Sequence, residues 1–316
     1  MTINRYIFAI AGPTASGKTA LAVELALHLG DAEIVNFDSV QVYEKIEIAT
    51  AKPTLEEMKG IPHHLIGYID PVTTCTAANW AKDATEKIHE IESRGKTVIL
   101  VGGTGFYLRS LRRPLFESPT PDQSLRNRLL DIKEMKGSEY LHRLLTRVDA
   151  IAAEAIPPAD FIRTTRALEV FFQTGKRISE MRVERGPAPE FSSRIKLIVL
   201  EPPREDLYER INSRAITHFK NGLVDEVKTL LKDGIPESSN ALGAHGYRRV
   251  CEFLRGERTL ESAIEKTQQN VRNYAKRQIT WFKMESPDLW LKGFGDSPET
   301  RYAVFEWMSS IRHSDN

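Results

Sequence analysis

Cysteine is nearly absent. The 316 residues hold two, Cys75 and Cys251, far apart and without C-x-x-C or Cys/His spacing. That excludes a disulfide scaffold and a metal module and leaves two free, buried or half-buried thiols. No apolar run is long enough to span a bilayer. A signal peptide would need a longer apolar stretch and a small-residue cleavage site, whereas Arg5 leads straight into Tyr-Ile-Phe-Ala-Ile and a glycine loop. A soluble cytoplasmic protein with no membrane partner is expected. Net charge is also nearly absent, at +1, so a nucleic-acid partner is neither indicated nor excluded by composition, and clustering must decide. There is no internal repeat and no low-complexity segment. What is present, 41% apolar and 28% charged residues, suits a globular protein of one large domain or two ordinary ones.

The first third alternates two periods. Strand-like runs at Tyr6–Ala11, Ala32–Phe37 and Lys96–Val101 alternate with helical spacing at Lys18–Leu29 and Ala77–Arg94. This predicts right-handed βαβ units and a parallel sheet. Pro119 and Pro121 open a polar, helix-rich stretch that lasts to Pro189. Arg194–Leu200 then returns to a strand before Pro202-Pro203. The economical reading is an α/β core over 1–117 and 195–316, with a central parallel sheet flanked by helices. An all-helical insertion over 118–194 interrupts it. Helices near Arg204–Asn221, Val224–Lys232, Tyr247–Arg255 and Leu260–Lys283, a short strand at Leu289–Leu291 and a last helix complete the chain.

Gly12-Pro-Thr14-Ala15-Ser16-Gly17-Lys18-Thr19 is a full G-x-x-x-x-G-K-[ST] match between a strand and a helix, which makes the core P-loop NTPase-like. Its glycines let successive N–H groups curl around phosphate oxygens, Lys18 supplies a mobile cation, and the Thr19 hydroxyl can serve a magnesium ion. Thr97–Val101 ends in Gly102-Gly103-Thr104-Gly105, where a P-loop hydrolase would carry a second acidic residue, so an ATPase motor is disfavoured. Asp38 and Glu201 follow strand-like runs instead. A small-molecule kinase with its base after the second strand stays open at this point. Asp38-Ser39-Val40-Gln41 and Thr104 fall where strand ends converge on a ligand crevice; the plainer reading of Asp38 is an N-cap or turn residue. Tyr274–Lys283 mixes Lys276, Arg277, Gln278 and Trp281 along one helix, which suits either ordinary core packing or a nucleic-acid grip.

The sequence resembles the tRNA dimethylallyltransferase (tRNA isopentenyltransferase) family nearly end to end. In order, the shared pieces are GPTASGKT at Gly12–Thr19, DSVQVY at Asp38–Tyr43, TAKP at Thr50–Pro53 and PHHLI at Pro62–Ile66. GGTGFY at Gly102–Tyr107, RALEV at Arg166–Val170, GLVDEV at Gly222–Val227 and YAKRQITWF at Tyr274–Phe282 follow. The resemblance implies transfer of the dimethylallyl group of dimethylallyl diphosphate to the N6 amine of the adenosine 3′-adjacent to the anticodon, in tRNAs reading U-starting codons. N6-isopentenyladenosine and diphosphate would be the products.

By the same resemblance Asp38 is the general base, Thr104 sits beside the reacting centre and Arg214 faces the departing diphosphate. Arg214 shares a helix face with Arg210. Gly12, Thr14, Ala15, Ser16, Gly17, Lys18 and Thr19 bind the diphosphate, with Mg2+ at Thr19. The partner is a tRNA anticodon stem-loop met by a monomer. It is contacted by Asp38, Ser39, Val40, Gln41, Arg163, Arg166, His245, Gly246, Tyr247, Arg248, Lys276, Arg277, Gln278 and Trp281. Asn36-Phe37 and Arg249 depart from the family pattern, which carries smaller residues and commonly an acid there. The Cys/His finger of eukaryotic relatives is missing, which favours a bacterial type. His63-His64 reads as structural, having no ligand partners in spacing. Rival readings are a metabolite kinase, a nucleotide-gated RNA-binding switch without chemistry, and an adenylate isopentenyltransferase acting on free nucleotides.

Overall fold

In the computed structural model, residues 6–116 and 119–313 are described, Arg312 and His313 without their side chains. The chain runs β1 (Ile7–Ala11), α1 (Lys18–Leu29), β2 (Ala32–Asn36), α2 (Leu55–Met58), β3 (His63–His64), α3 (Ala77–Ser93), β4 (Thr97–Gly102) and α4 (Gly105–Arg112). The helices α5 (Gln123–Lys136), α6 (Ser138–Val148), α7 (Ala150–Ala155), α8 (Phe161–Thr174) and α9 (Ile178–Met181) follow. A 3-10 turn at Glu190–Arg194 leads into β5 (Ile195–Leu200), α10 (Arg204–Lys220), α11 (Leu223–Lys232), α12 (His245–Leu254), α13 (Leu260–Lys283), β6 (Leu289–Leu291) and α14 (Pro298–His313).

The strands form one parallel sheet in the order β3-β2-β4-β1-β5-β6. Every residue of β1 is buried, as a central strand covered on both faces requires. Ile10 lies opposite Val101 on one side and Ile198 on the other, so β1, β4 and β5 end level with one another. One face packs Phe8, Ile10, Ile34 and Ile99 against Leu21 and Leu25 of α1 and Val304 and Met308 of α14. On α3, Trp80 is fully buried, stacks on Tyr107 of α4 and donates its indole N–H to the Asn36 carbonyl at 3.0 Å. Asn36 in turn donates its side-chain amide to the Leu65 carbonyl at 3.3 Å, and Phe37 is wholly buried. The departures at these two positions are thus absorbed by the core.

Two elements left no readable signal. The strand β3 is two residues long; His63 bonds to the Ile61 carbonyl and His64 to Glu33, both within hydrogen-bond distance. The helix α4 begins on the glycine turn itself, because Thr104 accepts the first turn's N–H groups from Tyr107 and Leu108.

Contacts along the chain divide it into two compact units, one built on the sheet and one spanning Arg113–Ala188. Ser118, where the sequence reading starts the insertion, lies outside the described residues. The smaller unit has its own apolar core of Leu129, Leu141, Leu145, Leu168 and Val170. At its centre Glu169 is 0% exposed and accepts from Arg166 at 2.6 Å, Arg126 at 3.0 Å and the Asp122 N–H at 2.7 Å. Burial alone would raise this carboxyl; the hydrogen bonds from Arg166 and Arg126 outweigh it and hold it below the usual carboxylate range.

A lowered folded-state value contributes stability above the unfolded value of about 4.3 and loses it as pH falls through the folded one. Glu169→Gln should therefore speed hydrogen exchange of the α5 and α8 amides at neutral pH by about 2–3 kcal/mol of protection, the arginines keeping some solvent. It should also flatten the loss of urea resistance between about pH 5 and 3. Wild-type protection together with an unchanged acid limb would show that this network contributes nothing.

Candidate active site

Gly12–Thr19 fills the turn from β1 to α1. Gly17 takes φ 81° as the helix cap, and Ala15 also lies in the left-handed region at φ 64°. That conformation is the one in which successive N–H groups can cradle an anion; here the Thr14 N–H donates to Gln278 at 2.9 Å and the Ser16 N–H to the Pro13 carbonyl at 3.3 Å. A side chain at Gly17 would strike the backbone nitrogens of Gly295 and Asp296, at 2.9 and 2.8 Å. Gly295 N–H donates to the Ser16 carbonyl at 2.8 Å, so the turn between β6 and α14 braces the loop from behind. The Ser16 hydroxyl is buried and has no hydrogen-bond partner among the described residues. Lys18 is folded back, its ammonium donating to the Pro13 carbonyl at 2.6 Å. Burial lowers its pKa to about 8, with Asp38 pulling it up and Arg214 down.

Asp38 opens the turn that follows β2. Its Oδ1 accepts the N–H groups of Val40 and Gln41, at 2.9 and 3.2 Å, while no hydrogen bond is made to Oδ2 among the described residues. One carboxylate oxygen is therefore fixed by backbone and the other is available. Thr104 is stitched to the same turn: its N–H donates to the Phe37 carbonyl at 3.2 Å, and its Oγ1 accepts from Ser39 N–H at 3.0 Å. The Gln41 amide donates to the Thr50 and Ala51 carbonyls, both at 3.0 Å, so its side chain secures the neighbouring loop.

These turns open on one cavity of about 560 Å3, whose walls include Thr14, Ala15, Asp38, Ser39, Val40, Thr104 and Arg214. Arg214 comes from α10 and has no carboxylate within ion-pairing distance among the described residues. Burial lowers its pKa, and the charges of Glu57 and Asp38 offset this only in part. Arg210, one turn earlier, instead pairs with Asp296 at 2.8 Å and lies over the Phe294 ring. His245 and Gly246 line the same cavity at the start of α12.

Among the walls that sequence reasoning did not assign are His218, Tyr274 and Tyr43. His218 follows Arg214 by one helical turn, a spacing that would have found it. Burial lowers its pKa to about 4 with help from Arg214. Tyr274 belongs to a family motif without an assigned role, yet burial and the charge of Asp38 hold its hydroxyl well above the ordinary range. Tyr43, from the DSVQVY segment, also lines the cavity. His245 packs edge-on to Tyr274, and burial with Arg277 and Arg249 lowers its pKa to about 4. Both histidines are neutral at pH 7, so the positive charge among these wall residues is that of Arg214, with Lys18 close enough to be coupled to it.

The residues expected at RNA divide. Arg248, Lys276 and Arg277 are exposed; Arg248 and Arg277, with Arg249, Asn270 and Asn273, edge a smaller basic recess beside His245. Arg249 pairs with Glu252 at 2.8 Å, which also takes Arg258 at 2.6 Å, so the departure there is neutralised locally. On α8, Arg163 pairs with Asp160 and Arg166 with Glu169, both at 2.6 Å. Trp281 lies under the Arg109 guanidinium at 4.1 Å and edge-on to Phe106. Tyr247 and Gln278 need correction. Tyr247 is 0% exposed and donates its hydroxyl to Glu226 at 2.9 Å, and Gln278 is 4% exposed with both amide arms bonded inward. Neither side chain presents a surface to a macromolecule.

The sequence profile of the IPP transferase family matches residues 41–285. A tRNA dimethylallyltransferase of Solibacter usitatus is 46% identical over 300 residues, covering 95% of this chain and 97% of the relative. One from Geobacter metallireducens is 46% identical over 284 residues, covering 90% and 91%. The full-length tRNA isopentenylpyrophosphate transferase of Bacillus halodurans superposes with a TM-score of 0.70 at 35% identity over 97% of this chain and 96% of that one. A eukaryotic dimethylallyltransferase acting on tRNA gives 0.71 at 29% identity, over 90% and 73%. With a strapped phosphate loop, an oriented carboxylate and a buried arginine around one cavity, and with relatives matched over almost their whole length, the chain belongs to the tRNA dimethylallyltransferase (IPP transferase) family.

Proposed function

We propose that this protein transfers the dimethylallyl group of dimethylallyl diphosphate to the N6 amine of the adenosine 3′-adjacent to the anticodon, in tRNAs reading U-starting codons. It would act in the cytoplasm as a monomer. The observation that carries the reading is the meeting of Asp38, Thr104 and Arg214 around one cavity, with Lys18 near enough to feel the charges of Asp38 and Arg214. A pair of half-buried cations near an oriented carboxylate suits a substrate that brings its own negative charge.

The bond that breaks joins the allylic C1 to the diphosphate oxygen, and the electron pair leaves with the diphosphate. The loop amides, Lys18 and Arg214 are placed to hold that growing charge. The bond that forms joins N6 to C1. The adenine amine is a weak nucleophile because its lone pair is delocalised, and it sheds a proton as it attacks. The free Oδ2 of Asp38 is the acceptor for that proton, and the Thr104 hydroxyl, anchored on Ser39, is placed to orient the amine.

A magnesium ion fits beside this loop. The half-buried Thr19 hydroxyl and the unpartnered, buried Ser16 hydroxyl are hard oxygen donors, and substrate phosphate oxygens would complete the shell. Bound there, it would neutralise diphosphate charge. Reaching an adenine inside a stacked loop requires flipping the base out, at a cost of a few kcal/mol. The exposed Arg248, Lys276 and Arg277 would supply sequence-independent phosphate contacts toward that end. We read the Arg113–Ala188 unit as a further tRNA-contacting insertion.

Radiolabelled dimethylallyl diphosphate offered to unmodified tRNA, with AMP as a parallel acceptor, should label tRNA alone at that adenosine. Label in AMP alone would place the protein among the free-nucleotide enzymes, and ATP turnover without transfer would restore the kinase reading. Asp38→Ala should lower single-turnover transfer by about 100-fold or more while tRNA affinity stays within a few-fold; undiminished transfer would remove Asp38 from proton abstraction. Lys276→Ala combined with Arg277→Ala should weaken tRNA binding and reduce the slope of log affinity against log salt by about two, one for each phosphate no longer neutralised. A wild-type slope would leave these cations without a role in binding.

A further inference from the structure

The helix α13 presents two faces of opposite character. Lys276, Arg277 and Thr280 are exposed, while Ala275, Gln278 and Phe282 are buried. Of these three buried side chains Gln278 alone is polar, and its two arms reach different loops. Its Oε1 accepts the N–H of Thr14, in the phosphate loop, at 2.9 Å. Its Nε2 donates to the carbonyl of Gly103, just before Thr104, at 2.9 Å. One partner is a donor and the other an acceptor, so a carboxamide satisfies both and the amide's orientation is fixed by them. Thr14 and Gly103 are 89 residues apart in the sequence, and just past the last paired residues of β1 and β4, Ala11 and Gly102, this one side chain bonds both loops. The fit is close: a Cβ built on Gly103 would overlap Gln278 Nε2, so glycine is needed there to admit the amide.

We propose that Gln278 is a positioning residue. It sets the phosphate loop in register with the Thr104 turn, and through them fixes the distance between the seated diphosphate and the group beside the accepting amine. This rests on the proposed function for what the two loops hold. It departs from the expectation that the whole Tyr274–Lys283 stretch grips RNA: the outer face would serve RNA, and the inner face the geometry of the other substrate. A methionine at 278 fills the same space but leaves a buried N–H and a buried carbonyl unpaired, so the loops lose their shared anchor. A diphosphate that must first order its own loop binds more weakly.

The test measures inorganic diphosphate and an anticodon stem-loop RNA separately, by calorimetry and filter binding, alongside transfer kinetics. Gln278→Met should weaken diphosphate binding and raise the KM for dimethylallyl diphosphate by roughly tenfold or more, the scale of one or two buried groups left unpaired. RNA affinity and its salt slope should stay within twofold of wild type, a split that general loss of structure would not produce. Gln278→Glu keeps an acceptor for Thr14 N–H but sets an oxygen against the Gly103 carbonyl. It should lower kcat/KM for the diphosphate with the same indifference to RNA, and it carries the comparison if the methionine variant does not fold. Weakened RNA binding with wild-type diphosphate affinity would overturn the proposal and return Gln278 to the RNA surface, as would both affinities unchanged with transfer intact. Failure of wild-type protein to transfer label to tRNA would instead overturn the proposed function, and the diphosphate titration would still decide the anchoring role.

Discussion

Arg214 carries positive charge into the cavity and Lys18 holds a second, coupled charge near it, both against the pull of burial, and much of the structure serves to keep them there. Desolvation lowers the affinity of both for their protons, and the Asp38 carboxylate compensates each only in part. Such a pair is costly until an anion arrives. The fold carries the cost through rigid surroundings: a central strand buried along its whole length, a loop braced by Gly295, and a helix fixed through Arg210 and Asp296. Arg210 and Arg214 illustrate the economy of one helical turn, since the first anchors α10 and the second uses that anchorage to face the site.

The acidic side is built on the same plan with opposite parts. Asp38 is oriented by two N–H groups of its own turn, and Thr104 by the neighbouring turn, so the carboxylate and the hydroxyl are both backbone-defined. Backbone-defined groups need no reorganisation when charge develops, which is where electrostatic preorganisation has its effect. The neutral histidines and the raised Tyr274 hydroxyl complete a wall in which charge is confined to the groups with a use for it.

Reading by period and motif located most elements because their signals are local. The α1 range follows from a helical pattern between Lys18 and Gly30, and the strands follow from short apolar runs bounded by glycine and aspartate. The strand β3 was invisible because two residues carry no period, and α4 because its first turn overlaps a glycine turn whose hydrogen bonds are made only in the folded chain. Among site residues, the phosphate loop and Asp38 were legible as motif and strand end. His218 was one helical spacing away from being read.

The sequence by itself determined the phosphate loop, the parallel α/β core, the family, and the carboxylate and hydroxyl at the strand ends, since each is written in contiguous residues whose spacing is the chemistry. Only the tertiary structure decided which side of each helix faces what. Tyr247 and Gln278 sit among charged neighbours in motifs that read as RNA contacts, and nothing in one dimension separates them from Arg248 and Arg277. Whether a polar side chain meets solvent or a backbone group depends on what packs across from it, here Glu226, Thr14 and Gly103, all distant in the chain. Burial is a property of the assembled layers, and a buried amide with both arms satisfied has a different use from the same amide in water.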